Sequence, residues 1–91
     1  MKVRAHVFVS GRVQGVFFRS EIKRLARVYS VVGWIRNLSD GRVEALFEGE
    51  EANVKRLVEF AHKGPRSASV TSTKVQMESF SGEFKDFRIL W

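Results

Sequence analysis

Cysteine is absent from all 91 residues, which excludes a disulfide framework, a thiol nucleophile and any Cys-ligated metal. His6 and His62 are the only histidines, too few for an ordinary zinc site of three or four ligands at short spacing. Both read as surface or half-buried side chains. Pro65 is the only proline, and no repeat, linker or low-complexity tract divides the chain. No apolar run approaches the roughly 20 residues of a membrane helix. The opening Met1-Lys2-Val3-Arg4-Ala5-His6 alternates polar and apolar, so it reads as a strand and not as the apolar region of a signal peptide. The expectation is a cytoplasmic protein, soluble, with one domain over residues 1–91.

What is present is globular in composition, 44% hydrophobic and 29% charged. The net charge of +6 is uneven. Residues 1–42 hold nine Lys or Arg against two acids, and residues 43–91 hold seven against eight. A basic half suits an anionic partner: nucleic acid, an anionic surface or a small phosphorylated ligand. Charge alone does not choose among them.

Periodicity orders the elements. Val3, Ala5, Val7 and Val9 alternate with polar or aromatic residues, the pattern of a strand with one face on a core. Gly11 to Gly15 interrupts it as a loop. Phe18, Ile22, Leu25, Ala26 and Tyr29 then fall at helical spacing, with Lys23, Arg24 and Arg27 outward, and Gly33 is expected to end that helix. A strand over about residues 33–38 follows. Asp40-Gly41 is a hairpin signal, and Val43, Ala45 and Phe47 continue as the returning strand. A second helix over about residues 50–63 carries Val54, Leu57, Val58 and Ala61 on one face and stops at Gly64-Pro65. Residues 69–78 and 87–91 close the chain as strands. The order β-α-β-β-α-β plus a tail strand predicts an α+β ferredoxin-like sandwich, two helices on one face of a mainly antiparallel sheet of four to five strands.

In that topology the first two strands are parallel, and the third lies between them. Their C-terminal ends share one sheet edge, two strand spacings of about 4.8 Å apart. The loop Gly11–Arg19 and the end of the second strand, Arg36-Asn37, therefore meet there. Gly15 can adopt a positive φ and lets the backbone approach a ligand. N–H groups around an incipient helix N-terminus favour an oxyanion. Arg19 adds a planar, permanently charged fork, and Asn37 offers a donor and an acceptor that do not titrate. The same residues also fit a glycine turn, a solvated arginine and a turn asparagine.

Gly11-Arg12-Val13-Gln14-Gly15-Val16-Phe17-Phe18-Arg19 resembles the first signature of the acylphosphatase family throughout. Gly33-Trp34-Ile35-Arg36-Asn37, with Gly41, Val43 and Gly49, is similar to the second. Ile35 stands where valine is commoner. Gly64-Pro65, Ala68, Val70 and Phe87-Arg88-Ile89 resemble the family's C-terminal half. The resemblance implies hydrolysis of the carboxyl-phosphate bond of acyl phosphates by direct water attack, with no metal, cofactor or phosphoenzyme. It implies that Arg19 grips the phosphoryl group with backbone N–H groups of Gln14, Gly15, Val16, Phe17 and Phe18. Asn37 then positions the water. Inorganic phosphate or sulfate is expected to compete for that cradle, and the protein is expected to be a monomer.

Other features read more plainly. Phe17, Phe18, Trp34, Phe47 and Phe60 fit a core better than base-stacking platforms, Lys23, Arg24 and Arg27 a solvated helix face, and Glu48, Glu50 and Glu51 surface acids at a helix start. Ser10, Ser20 and Ser39 have no evident base partner. Nucleic acid is not the expected partner. The competing reading is a non-enzymatic basic ferredoxin-like module that binds RNA or a small anion.

Overall fold

Alternation along the first strand decides where the core lies. Ala5, Val7 and Val9 are essentially inaccessible, while Arg4, His6 and Phe8 between them stay half-exposed on the other face. The computed structural model describes residues 1–91. Its elements are β1 (Lys2–Arg12), α1 (Phe18–Val28), β2 (Val32–Asn37), β3 (Val43–Glu50), α2 (Glu51–Lys63), β4 (Ser69–Glu78) and β5 (Phe87–Ile89). Phe18, Ile22 and Ala26 of α1 and Val54, Leu57 and Ala61 of α2 are buried. Helix α1 packs over β2 and β5, and α2 over β1, β3 and β4. Both helices thus cover the face that Ala5, Val7 and Val9 present.

The sheet order is β4-β1-β3-β2-β5. Strand β3 pairs antiparallel with β1 and with β2, so β1 and β2 run parallel on either side of it. Strand β4 joins β1 antiparallel, and β5 joins β2 parallel. This is the ferredoxin-like α+β arrangement. Register gives the site its position: Val43 of β3 faces Val9 of β1 on one side and Asn37 of β2 on the other.

Several local expectations are corrected. Strand β1 does not stop at Gly11; it continues to Arg12 through a register shift at Ser10/Gly11, where pairing passes from Ser72 to Val70. The shift is a bulge whose extra residue is Thr71 on β4, opposite Gly11. Gly33 is not the helix stop. The helix ends by Val28, Ser30 takes the left-handed turn (φ 56°), and Gly33 lies inside β2. A Cβ on Gly33 would come within 1.8 Å of the Leu46 carbonyl oxygen, so the close crossing of β3 is what requires glycine. The tail strand is shorter than expected, although the Leu90 N–H still donates to the Ile35 carbonyl at 2.8 Å.

Glu48 is not a surface acid either. It is fully buried, on the sheet face away from the helices. It accepts from the Ser81 N–H and hydroxyl, both at 2.9 Å, and from the Gly82 N–H at 3.1 Å. The segment between β4 and β5 is thereby tied across β3, which is buried along nearly its whole length.

Candidate functional site

The loop between β1 and α1 is anchored from below and open above. Val13, Val16 and Phe18 are buried, whereas Gly15 and Phe17 are exposed. Two of its carbonyls are occupied. Ser67 Oγ donates to Val16 O at 2.9 Å, and Ser20 Oγ and the Glu21 N–H both donate to Phe17 O at 3.1 Å. The N–H groups of Gln14, Gly15, Val16 and Phe17 find no backbone acceptor. A run of free donors above satisfied carbonyls is a concave site for an anion. Gly15 has φ 71°, and a Cβ there would meet nothing within 4 Å, so its dihedral angle and not its space demands glycine.

Phe17, at the N-cap of α1, also has a positive φ of 64°. For a bulky residue this is an uncommon conformation, costing on the order of 1 kcal/mol. It turns the ring outward, and Phe17 is 75% exposed. The expectation that Phe17 belongs to the core is therefore wrong, while Phe18 and Phe47 are buried and Trp34 and Phe60 are half-buried.

Arg19 sits in the first turn of α1, half-buried, and takes part in no ion pair. Its guanidinium carbon lies 4.5 Å from the centre of the Trp91 ring. A cation–π contact uses none of the guanidinium N–H donors, so the fork stays free. A cleft of about 260 Å³ joins Gly15, Phe17, Phe18 and Arg19 to Ile89 and Trp91.

Asn37 ends β2 at the same sheet edge as the β1 terminus, across Val43. Its Oδ1 is buried and has no hydrogen-bond partner in the protein. Such an atom needs an explanation, since buried polar groups are almost always paired. Asn37 does not line the Arg19 cleft. The link between the two is Gln14, whose Nε2 donates to the carbonyls of Leu38 (2.8 Å) and Arg42 (3.0 Å). The Gln14 backbone belongs to the donor loop while its side chain clamps that loop to the β2–β3 hairpin. Sequence reasoning identified only the first role, because the second spans 24 residues.

The hairpin turn differs in detail from the Asp-Gly expectation. Only Gly41 has a positive φ. Asp40 instead accepts from the Arg42 N–H (3.1 Å) and side chain (2.9 Å), which holds its carboxyl below the usual range. Trp91 and Ser67 are further contributors that local patterns did not signal. Lys23, Arg24 and Arg27 lie along α1, with Arg24 paired to Glu21 at 2.8 Å. No three His, Asp or Glu side chains converge as a metal-binding group.

Similarity to known proteins follows the same residues. A family model described as acylphosphatase matches residues 5–89. The curated "Acylphosphatase" of Roseiflexus sp. (strain RS-1) is 51% identical over 88 residues, covering 97% of this chain and 95% of its own length. That of Pyrobaculum islandicum is 52% identical over 89 residues, covering 97% and 94%. Among solved structures, the acylphosphatase from Bacillus subtilis superposes with a TM-score of 0.92 at 34% identity, covering 98% of this chain and 99% of its own.

Proposed function

The chain belongs to the acylphosphatase family, and from that premise we propose how its own residues hydrolyse acyl phosphates. The phosphoryl group docks in the loop, receiving hydrogen bonds from the N–H groups of Gln14, Gly15, Val16, Phe17 and Phe18 and a forked pair from Arg19. The Asn37 side-chain amide orients the attacking water so that a lone pair of the water oxygen faces phosphorus. The water oxygen bonds to phosphorus as the bond from phosphorus to the acyl oxygen breaks. The electron pair of that bond leaves on the carboxylate, and the water's proton passes to the inorganic phosphate or to solvent. A carboxylate is a weak base, with a conjugate acid near pH 4, so its departure needs no protein acid. Alignment and charge stabilisation then supply the catalysis, with no phosphoenzyme and no metal in the sequence of steps.

What supports this reading is an arginine without a counter-charge beside a run of free N–H groups, with a buried, unpartnered amide oxygen at the matching end of β2. The RNA-binding alternative is not favoured: the open sheet face, where bases would stack, carries Glu44, Glu48 and Glu78. No helix is long and apolar enough to cross a membrane. The reading takes the enzyme as a cytoplasmic monomer acting on a small molecule.

The test is hydrolysis of a chromogenic acyl phosphate in EDTA. Full turnover, with competitive inhibition by phosphate or sulfate, is expected. No turnover, or turnover lost in EDTA and restored by Mg²⁺, would sink the proposal.

A further inference from the structure

The cleft beside Arg19 has a half that phosphoryl binding leaves unused. One side is the donor loop and the guanidinium. The other is apolar, formed by Phe17, Ile89 and Trp91. Phe17 is 75% and Trp91 96% exposed, so two large aromatic rings stand in water at the rim of a charged site. Backbone geometry sets where both residues stand. The left-handed turn at Phe17 directs its ring outward. The parallel pairing of Ile35 with Ile89, extended by the Leu90 N–H to Ile35 carbonyl bond at 2.8 Å, brings the tail to the Asn37 end of β2. There the Trp91 ring lies 4.5 Å from the Arg19 guanidinium carbon.

We propose that Phe17, Ile89 and Trp91 form the acyl subsite, which selects acyl phosphates carrying an aromatic or bulky apolar acyl group. The inference rests on the reading that Arg19 grips the phosphoryl group. Phosphoryl oxygens held about 2.8 Å from the guanidinium nitrogens leave the acyl carbon two bonds from phosphorus, within reach of a ring that already touches the same guanidinium. An aryl group there covers exposed indole and phenyl surface and is stabilised in proportion to the apolar area removed from water. An acetyl group has a single methyl to bury. Among the residues that line this cleft only Arg19 is charged; Lys23, Arg27, Asp86 and Arg88 lie in the neighbouring groove that Ile89 and Trp91 also border.

The experiment compares kcat/KM for benzoyl phosphate and acetyl phosphate in the wild type, Trp91→Ala and Trp91→Phe, with Tm recorded for each. Trp91→Ala should lower the benzoyl-to-acetyl ratio about tenfold, the scale of a lost apolar pocket contact, and Trp91→Phe should restore most of it. Equal losses on both substrates, with the ratio unchanged, would make Trp91 a support for Arg19 alone and overturn the acyl subsite. A wild type that hydrolyses neither substrate would overturn the hydrolytic reading itself, and the subsite with it.

Discussion

On the open face of the sheet, every buried carboxylate is answered. Glu44 meets His6 Nε2 at 2.6 Å and Arg36 Nε at 2.7 Å, and His6 Nδ1 reaches Glu78 at 3.0 Å. Glu48 takes three hydrogen bonds from Ser81 and Gly82, and Arg4 lies 3.1 Å from Glu78 and 3.6 Å from Glu48, charge-paired although its buried Nε makes no aligned hydrogen bond. At the loop edge the opposite holds: Arg19 has no carboxylate, four N–H groups have no backbone acceptor, and Asn37 Oδ1 has no partner. Both regions lean on β3, which carries Glu44 and Glu48 and also sets Val43 between Val9 and Asn37. Charge inside a fold is tolerable when partnered. Where the fold holds polar groups rigidly and leaves them unpartnered, a ligand is the natural partner.

The sharpest way to break this comparison is Arg19→Ala. Activity should fall on the order of 10³-fold or more, as for charge-stabilising arginines in phosphoryl transfer. Tm should move by less than about 4 °C, because only the stack on Trp91 is lost. Arg19→Lys should rescue poorly, since a point charge does not reproduce the fork. Activity of Arg19→Ala within threefold of the wild type contradicts the assignment. Asn37→Ala comes next: kcat should drop roughly 10²–10³-fold, with phosphate inhibition little changed. A destabilised but fully active Asn37→Ala enzyme would make Asn37 a turn residue only.

The paired region should respond the other way. Glu48→Ala strips a buried acceptor from three donors and should cost about 3 kcal/mol, lowering Tm by on the order of 15 °C. Turnover per folded molecule should stay within about twofold. A loss of turnover without a fall in Tm would erase the distinction between the regions. The smallest effect is pH dependence. Burial pushes the Glu44 carboxyl up, but hydrogen bonds from His6 and Arg36 and the Arg36 charge outweigh it, so it titrates below the ordinary carboxylate range. A folded-state value below the unfolded one stabilises above the unfolded value of about 4.3, and this is lost as pH falls through the folded value. Glu44→Gln should therefore flatten the acid side of a Tm–pH profile. A profile as steep as that of the wild type would refute the assignment.

Much of this was legible because it is local. Val3 to Val9 alternate, Phe18 to Ala26 keep helical spacing, and the split topology alone brings the β1 and β2 ends together. Most of the errors involve distant contacts. Gly33 looked like a helix stop because the carbonyl of Leu46 that crowds it lies across a strand pair. Glu48 looked exposed because its cover, Ser81 and Gly82, comes more than 30 residues later. Phe17 looked like core because hydrophobicity says nothing of a left-handed backbone. The Gln14 clamp and the Trp91 stack join residues that no periodicity relates.

The central claim is that an oxyanion binds to backbone donors at the loop edge. Titration of the ¹⁵N-labelled protein with inorganic phosphate tests it most directly. The account predicts saturable amide shifts at Gln14, Gly15, Val16, Phe17 and Phe18, together with the Arg19 side chain, and little change at Arg4, His6, Glu44 and Glu48. Saturable shifts centred on the open sheet face, with the loop amides unmoved, would contradict it.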